Sequence, residues 1–249
     1  MLYAICNLSI VSLRLEPSDK SELVSQVLYG EIFKVLERRK AWSRVRMAFD
    51  DYEGWIDNKQ YQDISEDNYK NLNVENLVLS QDIIEFATGE NKRLYTLSMG
   101  SVLNGINLLN HSFDGRKTSG KKEKSNILNT AFLYLNTPYL WGGKTPFGID
   151  CSGFTQMVYK LNGYTIKRDA SQQATQGQAL SFIEESEPGD LAFFDNVEGE
   201  IVHVGIIMEN NYIIHAHGKV RIDRLDHTGI YNTEKNEHTH KLRVIKKIF

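Results

Sequence analysis

Residues 138–159 read PYLWGGKTPFGIDCSGFTQMVY, and this stretch decides how the second half of the chain folds. Pro138 ends the helical pattern before it, because proline cannot continue a helix. Three glycines and a second proline follow before Asp150, which predicts a loop. The apolar residues after that loop have helical spacing, so we predict a helix that begins at Cys151 and stops at Asn162.

Cys151 is the first candidate functional residue. A thiol at a helix N-terminus lies at the positive end of the helix dipole, close to unpaired backbone N–H groups. Both effects stabilise a thiolate, so we expect the pKa of Cys151 to fall below its usual value of about 8.5. The same N–H groups are suited to binding an oxyanion. The alternative is a buried, unreactive cysteine, which is the commoner fate of a single cysteine.

The regions on either side of the Cys151 helix differ in their periodicity. Apolar residues between Ile127 and Leu135 recur at helical spacing and predict a helix of about three turns. Helices followed by an antiparallel meander indicate an α+β domain. The strand-like runs of that meander are Leu191–Phe194, Ile201–Met208, Tyr212–His217, Val220–Leu225 and Leu242–Ile248.

Two histidines interrupt the predicted strands. His203 lies in the apolar run IVHVGII, and His215 lies in the next run, YIIHAHG. If the two strands pair through a hairpin turn around residues 209–211, their imidazoles can approach one another. A nucleophilic cysteine needs a histidine base and a third group that fixes the tautomer of that base. Since His217 shares a strand face with His215, either one fits the third role. The alternative for each is a core histidine with its hydrogen bonds satisfied.

The first 62 residues read as short strands separated by turns, which indicates a small barrel. The segments VSLRLEPSDKSELVSQVLYGE, KAWSRVRM and DDYEGWIDNKQY, within residues 11–61, resemble a bacterial SH3-like domain. Residues 63–118 are interpreted as a possible second, degenerate SH3-like region. The run GRKTSGKKEK at 115–124 is typical of a solvated linker and marks the main boundary, with binding of an anionic polymer as the alternative.

Residues 119–249 resemble the NlpC/p60 family of papain-like cysteine peptidases. The segments that carry the resemblance are TPYLWGG, GIDCSGF, PGDLAFF, VHVGI and YIIHA. The resemblance implies an α+β, papain-like catalytic domain preceded by one or two all-β SH3-like barrels. It implies that Cys151 is the nucleophile, that His203 is the general base and later the acid, and that His215 orients His203. His217 is then a cleft residue or incidental.

Within this family, the chain resembles the dipeptidyl-peptidase VI type. That type cleaves the bond between γ-D-Glu and the diamino acid of murein stem peptides that carry a free N-terminal L-Ala, and it releases L-Ala-γ-D-Glu. Asp169 matches the residue that binds the free amine. Its alternative role is a helix N-cap. Ala170 departs from relatives that carry serine there, which puts one substrate contact in doubt. Four further residues are expected to contact substrate: Tyr52, Trp141, Asp150 and Ser152.

Composition excludes several other classes. The 249 residues carry a net charge of −3, which argues against a nucleic-acid partner. The longest apolar run falls short of the roughly 20 residues that cross a bilayer, so we expect no membrane partner. The N-terminus lacks the pattern of a secretory signal, so we expect a cytoplasmic enzyme with two free thiols, Cys6 and Cys151. We expect no metal or cofactor, since His238 and His240 form an isolated pair.

The sequence also allows two rival functions. The first is a general cell-wall hydrolase or amidase that is exported by another route and accepts an acylated N-terminus. The second is a binding protein with an inert peptidase domain that holds cell-wall fragments. The presence of Cys151, His203 and His215 together argues against the second rival.

Overall fold

The computed structural model describes residues 2–72 and 74–249. The chain forms two compact units. The first extends to Lys121 and includes residues 141–146 and 163–165, and the second contains residues 122–140, 147–162 and 166–249. Within the described residues, no helix is long and apolar enough to cross a membrane.

The first unit begins with a seven-stranded antiparallel sheet in the order β3-β2-β6-β5-β4-β1-β7. Alternation builds this sheet, since Val11 and Leu13 point into the core while Ser12 between them is only half-buried. The predicted small barrel of short strands is confirmed. The strands are β1 (Leu2–Ile5), β2 (Ile10–Arg14), β3 (Leu23–Leu28), β4 (Ile32–Arg38), β5 (Trp42–Met47), β6 (Glu53–Asp57) and β7 (Gln62–Ile64).

Over the residues described after β7, the first unit contains one short α-helix, a 3₁₀ segment at Glu90–Lys92 and two two-stranded ladders. These elements are α1 (Glu66–Asn71), β8 (Val78–Ser80), β9 (Ile84–Thr88), β10 (Leu94–Ser98) and β11 (Lys117–Ser119). The ladders pair β9 with β10 and β8 with β11. The prediction of a solvated linker is wrong for Lys117–Ser119, because Thr118 is buried where β11 pairs with β8. A second SH3-like region stays a prediction.

The second unit contains the Cys151 helix and a closed sheet. Its strand order is β14-β20-β15-β16-β17-β18-β19, and β19 also pairs with β20, which closes six strands into a barrel. The helices of this second unit are α2 (Asn126–Phe132), α3 (Cys151–Leu161) and α4 (Ala170–Gln173). Its strands are β13 (Gly148–Ile149), β14 (Gln178–Leu180), β15 (Leu191–Asp195), β16 (Ile201–Ile207), β17 (Tyr212–His217), β18 (Lys219–Leu225), β19 (Gly229–Asn232) and β20 (Glu237–Lys247). The strand β12 (Lys144–Thr145) belongs to the segment 141–146 of the first unit.

Most of the predicted elements are confirmed, and α2 is the main difference. It ends at Phe132, whereas the periodicity predicted a helix to Leu135. The N–H of Leu135 donates to the carbonyl three residues back at 3.1 Å, so the last turn is tighter than an α-helix. Asn136 then takes a left-handed φ of 67°, and its N–H donates to Val220. The chain therefore leaves the helix before Pro138 in order to reach the barrel.

Candidate active site

Cys151 is the first residue of α3, as the sequence predicts. The Asp150 side chain caps the helix by accepting from the N–H of Gly153 at 2.6 Å. The Cys151 side chain is buried, and its sulfur accepts a hydrogen bond from the N–H of Val204 on β16. Because Val204 follows His203 directly, this contact places the thiol beside the histidine strand.

The prediction of a lowered pKa for Cys151 is wrong, because the structure raises this pKa. Burial raises the pKa of Cys151 to about 12, and the negative charge of Asp150 acts in the same direction. The N–H groups of Val204 and Ser152 and the charge of Arg168 favour the thiolate, but they do not offset the loss of hydration. The resting site therefore contains a neutral thiol, which needs a base at the moment of attack.

His203 and His215 meet in the second unit, as their strands predict. Nε2 of His203 lies 2.8 Å from Nδ1 of His215, and both rings are buried. The hairpin of β16 and β17 turns at residues 209–211, where Asn210 and Asn211 have left-handed φ angles. Burial lowers the pKa of His203 well below 6.5 and also lowers that of His215. Both imidazoles are neutral near pH 7, so His203 is ready to accept a proton.

Asp223 and Arg221 lie behind His215, and the sequence analysis missed both. Nε2 of His215 is 2.9 Å from Oδ2 of Asp223. Arg221 donates to both carboxylate oxygens of Asp223, with Nε at 2.7 Å and Nη2 at 2.9 Å. The signal was present in β18, where Arg221 and Asp223 alternate with Ile222 shortly after Gly218. The register His215↔Arg221 then brings the pair next to the histidine strand.

Two more histidines surround His203. The ring of His240 stacks on that of His203 with centroids 4.2 Å apart and an interplanar angle of 27°. His217 lies at the edge of the group, 4.8 Å from the His240 centroid. Burial lowers the pKa of His240 to about 3, so this ring is neutral. The part of the chain that the structure describes contains no group of three or more Cys, His, Asp or Glu arranged to hold a metal ion.

Arg168 connects the residues on both sides of Cys151, and the sequence analysis missed it too. It is fully buried and donates to both oxygens of Asp150, at 3.0 and 2.6 Å, and to the hydroxyl of Ser152 at 3.0 Å. Asp150 and Ser152 are therefore engaged in holding the start of α3. Their predicted contacts with substrate stay predictions.

Asp169 is half-buried and forms the N-cap of α4, with Gln172 completing a capping box. Gln173 of α4 donates to the carbonyl of Ser152 at 2.9 Å. These bonds hold the Asp169 segment next to the first turn of α3. The alternative role that the sequence allowed for Asp169, a helix cap, is therefore present, and its role as amine ligand stays a prediction.

Tyr139 is a further residue of this site that the sequence analysis did not single out. Its side chain is half-buried, and burial is the main cause that raises its pKa. The negative charges of a Cys151 thiolate and of Asp150 raise the pKa further, so the phenol lies within electrostatic reach of both. Its position just before the glycine-rich loop was the available signal. At neutral pH the hydroxyl keeps its proton and is a hydrogen-bond donor.

Two predicted contacts belong to the first unit. Tyr52 packs against the core of the seven-stranded sheet. Trp141 is exposed, and its indole N–H donates to Glu22 at 2.6 Å. Their contacts with substrate stay predictions. A cavity of about 540 Å³ in the first unit, lined in part by Arg93 and His111, contains none of the predicted site residues.

Comparison with known proteins defines the class. The model described as the NlpC/P60 family matches residues 136–239, and the model described as the bacterial dipeptidyl-peptidase Sh3 domain matches residues 13–60. The region matched by the NlpC/P60 family contains Cys151, His203 and His215. The chain thus contains an NlpC/P60 domain and, N-terminal to it, a bacterial SH3 domain.

Individual relatives agree with this class. The chain is 27% identical over 264 residues to dipeptidyl-peptidase 6 of Lysinibacillus sphaericus, which covers 90% of this chain and 92% of that protein. It is 41% identical over 98 residues to gamma-D-glutamyl-L-lysine dipeptidyl-peptidase of Bacillus subtilis (strain 168), and this match spans 39% of the chain and 33% of that protein. A solved NlpC/P60 family protein from Bacillus cereus ATCC 10987 has the same fold, with a TM-score of 0.79 at 21% identity over 99% of both chains.

Proposed function

We propose that this chain cleaves the bond between γ-D-Glu and the diamino acid in murein stem peptides with a free N-terminal L-Ala, and that it releases L-Ala-γ-D-Glu. The observation that carries the proposal is the buried His203–His215 hydrogen bond beside the thiol of Cys151. The substrate class is supported by relatives that are named as dipeptidyl-peptidases, one of them for a γ-D-glutamyl-L-lysine bond.

The first half-reaction forms a thioester. His203 takes the thiol proton of Cys151 as the sulfur attacks the carbon of the γ-amide. The carbonyl electron pair moves onto oxygen, where N–H groups at the start of α3 stabilise the charge. When the carbon–nitrogen bond breaks, the His203 imidazolium gives its proton to the departing amine of the diamino acid.

The second half-reaction restores the thiol. His203 takes a proton from a water molecule while the oxygen of that water attacks the thioester carbon. The carbon–sulfur bond then breaks, the proton returns to sulfur, and L-Ala-γ-D-Glu leaves. Water is the only additional reactant, and the protons and bonds balance over the two half-reactions.

Asp169 provides the selectivity for a free N-terminus. A carboxylate offers about four lone-pair sites, so Asp169 can cap α4 and still pair with the ammonium group of L-Ala. An acylated nitrogen has no charge to offer this carboxylate. We therefore expect intact glycan-linked wall to be a poor substrate. We also propose that the enzyme acts in the cytoplasm on peptides already released from the wall, which fractionation against a cytoplasmic marker enzyme tests.

The deciding experiment compares L-Ala-γ-D-Glu-L-Lys, its diaminopimelate analogue and their N-acetylated forms. Mass spectrometry follows release of L-Ala-γ-D-Glu. We expect cleavage of the free peptides only, and we expect Asp169→Asn to raise KM for them by about tenfold or more because an ion pair to the ammonium is lost. Equal cleavage of free and acetylated peptides would support the exported general hydrolase instead.

The chain offers a matched pair of cysteines for the control. Cys151 and Cys6 are both free and buried, and burial raises the pKa of each thiol to about 12. Cys151→Ala must abolish cleavage, whereas Cys6→Ala must leave kcat nearly unchanged. If the wild-type protein cleaves none of these peptides, the result would contradict the proposed activity and favour the hypothesis of a protein that only binds cell-wall fragments.

A further inference from the structure

Asp223 lies at the end of a buried series of hydrogen bonds that begins at His203 on β16 and passes through His215. It lies on β18 and is only 2% exposed. One of its oxygens, Oδ2, is shared between His215 Nε2 at 2.9 Å and Arg221 Nε at 2.7 Å. The other, Oδ1, accepts from Arg221 Nη2 at 2.9 Å. Both oxygens of the carboxylate therefore face donors.

This arrangement determines where the protons on the histidines must be. An ionised carboxylate only accepts hydrogen bonds, so Nε2 of His215 carries a proton. Because His215 is buried and neutral, its Nδ1 is then an acceptor, and Nε2 of His203 must donate to it across the 2.8 Å contact. The remaining nitrogen of His203, Nδ1, is left with the lone pair that a general base needs.

The same hydrogen bonds also suit the next step of the reaction. When His203 takes a proton on Nδ1, its Nε2 keeps the proton that it already donates to His215. Neither ring has to rotate or change tautomer during the cycle. Arg221 keeps Asp223 charged, since the hydrogen bonds of His215 and Arg221 lower the pKa of this carboxyl although burial acts to raise it.

The geometry points to Asp223 as a positioning residue that, clamped by Arg221, sets the tautomer of His215 and through it that of His203. The inference extends the proposed peptidase function to a residue that touches no substrate atom. On its other side, Nη1 of Arg221 donates to Oε2 of the exposed Glu234 at 3.2 Å.

An isosteric substitution tests this role. In Asp223→Asn, an amide nitrogen must face at least one of the donors that now face carboxylate oxygens. If it faces His215, Nε2 becomes the acceptor, the proton moves to Nδ1, and His203 loses the lone pair on its own Nδ1. At metal sites, loss of the group that fixes a histidine tautomer typically lowers activity by about 10- to 100-fold, and we expect kcat to fall by at least that amount here with KM nearly unchanged.

The chain contains a matched control pair. His238 Nε2 lies 2.9 Å from Oδ2 of Asp226, but this Asp–His pair is exposed. Asp226→Asn makes the same chemical change outside the buried series. It should leave kcat, KM and the tautomers of His203 and His215 unaltered.

Imidazole ¹⁵N spectra of the histidine-labelled protein give a readout that does not depend on activity. With the seven histidines assigned through single His→Gln variants, we expect His203 and His215 both to carry the neutral-state proton on Nε2 in the wild-type enzyme. Asp223→Asn should change both patterns. A wild-type proton on Nδ1 of His215, or unchanged tautomers in Asp223→Asn with unchanged kcat, would overturn the proposal.

The two proposals fail in different ways. If the wild-type protein shows the expected tautomers but cleaves no peptide, the positioning role stands and the proposed substrate is wrong. If Asp223→Asn does not fold, the wild-type spectrum still decides the tautomers. Arg221→Lys then supplies the second variant, because a lysine keeps the charge but loses the two-pronged contact. We expect it to lower kcat, with a smaller tautomer change than in Asp223→Asn.

Discussion

Gly205 lies directly opposite His215 in the ladder between β16 and β17. A methyl group added at Gly205 would be 2.9 Å from Cβ of His215 and 2.7 Å from Cδ1 of Ile213. Non-bonded carbon atoms prefer to be about 3.5–4.0 Å apart. The absence of a side chain at position 205 therefore lets His215 approach β16 closely enough to reach His203.

Gly205→Ala should damage activity more than stability. Filling a packed site costs about 1–3 kcal/mol, while a displacement of about 1 Å at a catalytic group can cost 10²-fold in rate. We expect steady-state kinetics to show that kcat falls by about 10- to 100-fold. Calorimetry should show that the variant still folds cooperatively. Adding Ile213→Val removes one clashing atom and should recover stability but not kcat.

Val202→Ala is the control for this substitution. Val202 lies on the same strand and is half exposed. Its truncation should leave both kcat and Tm close to the wild-type values. Wild-type kcat in Gly205→Ala would show that the close approach is not needed for the reaction.

The pH dependence of kcat/KM follows from the histidine pKa values. Burial lowers the pKa of His203 well below 6.5, and the neighbouring His215, His240 and His217 act in the same direction. Since the base must be neutral, activity is present above that lowered pKa and is lost as pH falls through it. We expect the acid limb of kcat/KM to have its midpoint clearly below pH 6.5. A midpoint at or above 6.5 would contradict a desolvated base.

The reactivity of Cys151 provides a separate test of its protonation state. A neutral thiol with a raised pKa should react slowly with iodoacetamide at pH 6, and the rate should rise continuously beyond pH 9. Peptide mapping by mass spectrometry separates modification of Cys151 from that of Cys6. Fast alkylation of Cys151 that is independent of pH between 5 and 8 would instead indicate a resting thiolate–imidazolium pair.

His240 supports His203 through the face of its ring. The stacked rings lie 4.2 Å apart, and His240 stays neutral because burial lowers its pKa to about 3. His240→Phe keeps a flat ring and should retain kcat within about threefold, whereas His240→Ala should lose about tenfold because His203 gains freedom to tilt. Steady-state kinetics at pH 7 measure both, with the exposed residue His238→Ala as control. Equal losses in the two His240 variants would assign the role to its ring nitrogens instead of its ring face.

The sequence predicted those parts of the site that depend on local pattern. Cys151 at a helix start and His203 and His215 in neighbouring strands follow from periodicity and turn residues alone. The sequence analysis treated His240 as part of an isolated pair with His238, and this was wrong, because His240 stacks on His203. Its place could not be predicted from periodicity, since β20 has register shifts against both β15 and β19, and each shift changes the face on which later residues lie. The predicted lowering of the Cys151 pKa was wrong, because burial raises this pKa and outweighs the helix dipole. Burial depends on tertiary packing, which the local pattern does not contain.

Arg168 should contribute strongly to the stability of the fold, because it pairs with the buried Asp150 next to Cys151. Removing one partner of a buried ion pair leaves an uncompensated charge and costs about 3–5 kcal/mol, whereas an exposed pair contributes about 0–1 kcal/mol. Arg168→Met should therefore lower Tm strongly, since Asp150 stays buried without its main partner. Arg116, which pairs with Asp82 on the surface, offers the matched control Arg116→Met. Calorimetry of both variants measures the difference, and similar Tm losses would show that Arg168 contributes no more than a surface ion pair.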